Sequence, residues 1–256
     1  MKGVEPAIER LHDLSLLQSD TLFSHANGMT AFEVSLLRNA NAHISCTPAT
    51  EMGMGLGDPV PATHPELCTH EHVSLGVDCH SYIAADTFTH LRLLVAAVRS
   101  SHNRQTVNTG NHPKSIAFFV EDAFLIATMG GANAVGMSSE IGSLEVGKRA
   151  DVVIFDTSNS PGMVMAAEND AVAAVVLHAS VRDVEMVIVD GKIRKSEGKL
   201  LPLEGIEGVT DGSWGSISAK LRESAQAIFK RTEGVDFDVA TEQLVELWGI
   251  DKKKLV

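Results

Sequence analysis

The pattern that most restricts the fold is an alternation of helical and β-prone stretches over the first half of the chain. Ile8, Leu11, Leu14 and Leu17 recur at every third position, which predicts an amphipathic helix over residues 5–19. Thr21 to His25 is short, apolar and β-prone, and it stops at the turn signal Asn27-Gly28. Thr30 followed by Glu33 predicts a capping box, opening a second helix whose Phe32, Leu36 and Leu37 are expected to face inward. His43 to Thr47 reads as a second strand halted by Pro48, and His72 to Asp78 as a third. Leu91 to Val98 and Val120 to Met129 read as helices, the second closed by Gly130-Gly131. Such alternation predicts parallel βα units over residues 1–137.

Beyond this point the texture changes. Ala150 to Asp156, Ala171 to Leu177 and Val184 to Val189 are β-rich, and Asp190-Gly191 is a hairpin turn into Lys192-Ile193-Arg194. Residues 138–204 are therefore expected to form a small β domain. Residues 205–256 return to helical spacing, with Trp214, Ile217, Leu221 and Ile228 on one face of one helix and Leu244, Leu247 and Trp248 on another. Asp251 to Lys254 reads as a solvated tail. The length, 256 residues, suits one (β/α)₈ barrel of about 250 residues, or two smaller domains.

Composition narrows the function. A formal charge of −12 repels phosphate backbones, which argues against a nucleic-acid partner. The 44% hydrophobic and 21% charged content are those of an ordinary globular chain with a sizeable core. Cys46, Cys68 and Cys79 are sparse, odd in number and without CxxC spacing, as in a reduced intracellular protein. The first residues carry no apolar segment of a secretory signal, and no apolar run approaches membrane-spanning length. A cytoplasmic location with no membrane partner is the expectation.

In parallel βα folds the chemistry collects at the carboxyl ends of the strands. His25 closes the first predicted strand and Asp78 the third, so both would point toward one mouth. An imidazole and a carboxylate suit a first-row metal, and an aspartate there can take the proton of an attacking water. The competing reading is structural: a strand-end histidine facing solvent, and an aspartate capping a turn. His70 and His72 precede the third strand and lie roughly 20 Å from Asp78 at strand rise, so they cannot share its ion. They leave only an adventitious site with His64 or Cys68. Gly53 to Asp58 is glycine-rich yet has Asp58 where a dinucleotide fingerprint needs Gly or Ala, and no P-loop Lys-Ser/Thr pair follows. It reads as a mobile rim loop whose Met52 and Met54 either line an apolar pocket or pack against the loop's base. Cys79 and His80 adjoin Asp78, but neighbours at a strand end point apart, so no catalytic Cys–His pair is specified.

Three segments together resemble a known family: Phe23-Ser24-His25-Ala26-Asn27-Gly28, Ile44-Ser45-Cys46-Thr47-Pro48 and Leu75-Gly76-Val77-Asp78-Cys79-His80-Ser81. They are similar to the sixth, seventh and eighth strand ends of the metal-dependent amidohydrolase superfamily, in the branch of cytosine, guanine and S-adenosylhomocysteine deaminases and triazine chlorohydrolases. Ala127 to Ala134, Gly142 to Asp151 and Val187 to Lys192 resemble that family's last barrel helix and returning β-sandwich strands. The similarity spans residues 4–204.

The resemblance implies an α/β chain holding strands six to eight of a (β/α)₈ barrel, then a β-sandwich segment and a helical extension. It implies a hydrolase of non-peptide C–N bonds, working on a small-molecule substrate by metal-activated water. His25 would polarise substrate or assist the water, Asp78 would bind zinc or another divalent metal and shuttle the proton, and Ser81 would support Asp78. Glu51, Met52 and Ser81 fall where substrate would be contacted. The family's His-x-His pair on the first strand and its fifth-strand histidine have no counterpart, so about five strands are expected upstream of Met1 and zinc is expected to bind weakly. The exposed sheet edges would need a cover: a partner chain completing the barrel, a second copy, or the missing segment. The alternatives are a non-catalytic remnant serving as an interaction module and one half of a split enzyme.

Overall fold

The computed structural model describes residues 7–205, 209, 211–247 and 249–254. The expected contributions of Glu5, Pro6 and Trp248 lie outside them. Residues Ile8–Lys199 form one compact unit, and the chain from Leu200 belongs to another. The expected boundary between residues 137 and 138 lies inside the first unit.

Helix α1 (Ala7–Asp13) leads into β1 (Leu22–Ser24), α2 (Ala31–Asn39) and β2 (His43–Cys46). Two short helices, α3 (Pro48–Gly53) and α4 (Val60–Thr63), precede β3 (Val73–Leu75). The three strands form a parallel sheet in the order β1-β2-β3, with Phe23 opposite Ile44 and Ile44 opposite Val73. The ladder continues past the strand ends, where the His25 N–H donates to the Ser45 carbonyl and the Gly76 N–H to the Cys46 carbonyl. Ile44 and Leu37 are fully buried, with Val73, Leu94 and Ile126 packed in the same core. That core is closed by α5 (Thr87–Asn108), α6 (Val120–Ala127) and α7 (Met129–Ala134).

The second half of this unit holds a sheet of order β4-β5-β6-β7 (Val152–Phe155, Val184–Val189, Lys192–Ser196 and Lys199–Leu200), in which β4, β5 and β6 run antiparallel. Asp190 and Gly191 both take positive φ, as the turn between β5 and β6 demands. Between β4 and β5 come α8 (Val164–Asn169) and α9 (Ala171–Ala173), the latter running into a π-helical turn over Ala174–His178. The second unit contains α10 (Trp214–Thr232), none of whose residues is buried, and α11 (Phe237–Leu247), with Val245 buried.

Several local expectations change. The first helix ends at Asp13 because the chain turns left-handed at Ser15, which leaves Leu14 and Leu16 exposed while Leu17 is buried. The Thr30–Glu33 capping box forms, but Phe32 is 59% exposed and Val34 takes the inward position beside Leu36 and Leu37. The 171–177 run is helical rather than β: Asp170 caps it through the Ala173 N–H, and Ala174 and Val176 are buried. An apolar run of that length does not by itself distinguish strand from buried helix. Gly130 and Gly131 lie within α7 rather than ending a helix.

Gly130 is where α7 meets β3, since a β-carbon there would run into the Val73 carbonyl. A β-carbon on Gly131 meets nothing within 4 Å. Gly130→Ala is expected to destabilise the fold by about 1–3 kcal/mol through overpacking, and Gly131→Ala to be neutral or stabilising by up to about 1 kcal/mol. Urea unfolding of both variants measures the contrast, and equal effects would remove this account of the contact.

Candidate active site

Three of the residues that shape the site leave their strands in a left-handed conformation: His25 at φ 70°, Ala26 at 55° and Asp78 at 59°. For side chains larger than glycine this conformation costs about 1–2 kcal/mol each. It turns the chain sharply at the end of β1 and just beyond β3, and it aims both polar side chains across the end of β2. His25 Nε2 lies 4.0 Å from Asp78 Oδ2, with the imidazole 26% and the carboxylate 36% exposed. Residues far apart in sequence are thus neighbours because β1 and β3 flank β2 in register.

The other face of the imidazole is enclosed. His25 Nδ1 lies 2.8 Å from Thr47 Oγ1 and 3.6 Å from Glu51 Oε1. Glu51 has no exposed side-chain surface. Its Oε1 accepts the Thr47 N–H at 2.8 Å, and its Oε2 accepts from Cys46 Sγ at 3.5 Å. Burial pushes the Glu51 carboxyl up from its ordinary value, while the Thr47 amide, the Cys46 thiol and His25 oppose that rise. Glu51, expected on the rim in contact with substrate, instead lies beneath His25. Thr47 was not singled out from the sequence; the signal was a Thr-Pro helix start with a glutamate four residues on, which turns that glutamate back toward the N-terminus of α3.

Met52 and Met54 are exposed, and the segment after them is anchored, with Asn27 Nδ2 donating to the Asp58 carbonyl at 2.8 Å. Ser81 Oγ pairs with Cys79 Sγ at 3.2 Å rather than with Asp78. The His-rich segment serves the opposite end of the sheet. His72 is buried with Nδ1 3.1 Å from the Ala42 carbonyl, and its ring lies 6.2 Å from that of His43. Burial, and then His72, lower the His43 pKa. A cavity of about 580 Å³ opens beside them, but the acid–base pair converges at the carboxyl end.

A hydrolytic zinc site needs three or more protein ligands. Among the described residues no group of three or more His, Cys, Asp or Glu is placed to hold a metal ion. His25 and Asp78 offer one nitrogen and one carboxylate, and Glu51 is turned inward, so this chain's donors do not complete such a site.

A parallel α/β sheet with an imidazole and a carboxylate meeting at its carboxyl end defines the class: a βα scaffold whose polar groups gather where its strands end. The Amidohydrolase family model matches residues 18–194, and the chain belongs to that family. It is 29% identical over 198 residues to a 5'-deoxyadenosine deaminase of Methanobrevibacter smithii, covering 77% of this chain and 42% of that protein. It is 28% identical to an S-triazine hydrolase of Gordonia rubripertincta, covering 73% of this chain and 36% of that one. Among solved structures, an adenosine deaminase from Xanthomonas campestris with bound zinc matches at TM-score 0.69 and 21% identity, over 89% of this chain and 46% of that one. An atrazine chlorohydrolase from Arthrobacter aurescens complexed with zinc matches at TM-score 0.64 and 17% identity, over 77% and 40%. These two likenesses are of fold. The chain therefore spans less than half the length of each of these relatives.

The thiols near the site should differ in reactivity. Burial, followed by the Glu51 charge, pushes the Cys46 thiol well above its ordinary value, and burial with the Asp122 and Glu66 charges pushes Cys68 up to about 11. Near neutral pH neither forms much thiolate, the reactive species. Native protein treated with an alkylating reagent should label at Cys79 alone, and Cys79→Ser should abolish labelling until denaturant is added. Rapid native labelling of Cys46, read by peptide mass mapping, would contradict the enclosed site.

Proposed function

We propose that this chain carries part of the active site of a hydrolase acting on non-peptide C–N bonds, of the deaminase and triazine-hydrolase kind. The observation that carries the reading is the meeting of His25 and Asp78 at 4.0 Å across the end of a parallel sheet. Asp78, half-exposed and beside the open mouth, takes a proton from the attacking water and returns one to the departing nitrogen. His25 assists that water or polarises the substrate carbon. Ser81 and Met52 line the rim on the substrate side. The named activities of the relatives point to a small N-heteroaromatic substrate bearing an exocyclic leaving group.

In this reading residues 1–137 supply the sixth to eighth strands of a (β/α)₈ barrel, 138–204 a segment of β-sandwich, and 205–256 a helical extension. The zinc-bound neighbours support a divalent metal in the family. His25 and Asp78 alone hold it weakly. A second reading, half of a split enzyme or a non-catalytic interaction module in the cytoplasm, is favoured by the sheet itself: among the described residues β1 and β3 each pair only with β2. Such edges invite another segment, a completing chain or a second copy.

The test compares the purified 256-residue chain with the same chain joined to the part of a relative that it does not match. Zinc content and ammonia release from aminopurine and aminotriazine substrates are measured for both. The chain alone should hold substoichiometric zinc and turn over nothing, whereas the joined form should do both. Asp78→Ala in the joined form should lower turnover by about 10²–10⁴-fold. Full activity of that variant would remove Asp78 from the mechanism, and activity of the chain alone would make it self-sufficient.

A further inference from the structure

Glu51 is an acidic side chain with no exposed surface, next to an imidazole that it does not need for its own helix. Burying a carboxylate is expensive unless donors surround it. One of its donors has a local explanation: the Thr47 N–H lies at the start of α3, where an acidic residue in the first turn is commonly turned back. Glu33 plays that part for α2, and Thr30 is its hydrogen-bond partner. Glu51 does more, because it also reaches Cys46 on β2 and His25 beyond β1. Thr47 departs from capping in the same direction. It occupies the N-cap of α3, yet its hydroxyl makes no cap hydrogen bond and lies 2.8 Å from His25 Nδ1. Its methyl sits at the edge of the space left open by Gly76, where a β-carbon would come within 3.0 Å.

We propose that Thr47 and Glu51 are positioning residues for His25, holding its neutral ring as the Nδ1–H tautomer with the Nε2 lone pair turned toward Asp78. The ring has an acceptor on each side, and burial decides between them. Nδ1 faces a hydroxyl at 2.8 Å and a fully enclosed carboxylate at 3.6 Å, whereas Nε2 faces a carboxylate at 4.0 Å that is 36% exposed. Water screens a charge several-fold more than a protein environment does, so Glu51 acts more strongly on the ring than Asp78. The proton therefore belongs on Nδ1. This rests on the reading of His25 as a site residue and sharpens it: with a lone pair at Nε2, the neutral ring accepts a hydrogen bond from the water that Asp78 deprotonates and donates none to the substrate.

The experiment is two-bond ¹H–¹⁵N NMR of the histidine rings in the isotope-labelled chain, read at a pH above which the ring signals no longer change, with His25 assigned by its loss in His25→Gln. The wild-type protein should show a protonated Nδ1 and an unprotonated Nε2. Glu51→Gln and Thr47→Val should each shift His25 toward the Nε2–H form that dominates in free histidine, and Thr47→Ser should retain the wild-type pattern. Circular dichroism and unfolding midpoints confirm that each variant read is folded; if Glu51→Gln does not fold, the Thr47 pair decides. An Nε2–H ring in the wild-type protein overturns the proposal, as does an Nδ1–H ring that survives Thr47→Val. The readout needs no turnover. A chain with an Nδ1–H His25 whose joined form releases no ammonia overturns the proposed function and leaves this inference standing, and the converse result does the reverse.

Discussion

The parallel register of three short strands is the constraint on which the site depends. β2 is central, with Ile44 fully buried between Phe23 and Val73, and each outer strand hands its last backbone amide to a β2 carbonyl. A one-residue slip would turn Ile44 out of the core and send His25 and Asp78 to different heights. Register is thus fixed by apolar burial in the middle of the sheet and read out as polar geometry at its end. The Gly130 contact serves the same purpose from the other side, because it lets α7 lie directly on the β3 backbone.

Electrostatics at the site follow from unequal burial of similar groups. Two carboxylates flank one imidazole; one is enclosed and held by backbone and thiol donors, and the other stands half in water. In the proposed mechanism the enclosed one orients the ring and the open one exchanges protons with solvent and substrate. The same enclosure keeps Cys46 as a thiol. A nucleophilic role for that cysteine is at odds with its surroundings, although it lies within hydrogen-bonding reach of the site's acid.

Much of this was legible in the sequence where a single local force decides. The Thr30–Glu33 pair announced its helix because capping is a short-range interaction, and His25 and Asp78 stood out as the ends of β-prone runs, although β3 itself stops at Leu75 and Asp78 follows three residues on. Other features depend on packing between distant segments. The Ala171–Leu177 run is apolar enough for strand or helix, and contact with α5 and α6 selected the helix. Phe32 and Val34 differ by two positions, and only the direction of the core tells which is inside. Glu51, in a stretch rich in glycine and methionine, resembles a rim residue until α3 folds it back beneath His25.

The left-handed residues at the strand ends carry a consequence for how such a protein changes over time. At His25 and Asp78 glycine would relax the backbone while deleting the chemistry, so selection for stability alone pulls these positions away from their present identities. Their retention in a population would be a record of selection for the side chain itself. A lineage released from that selection should lose them early, before its core residues begin to drift.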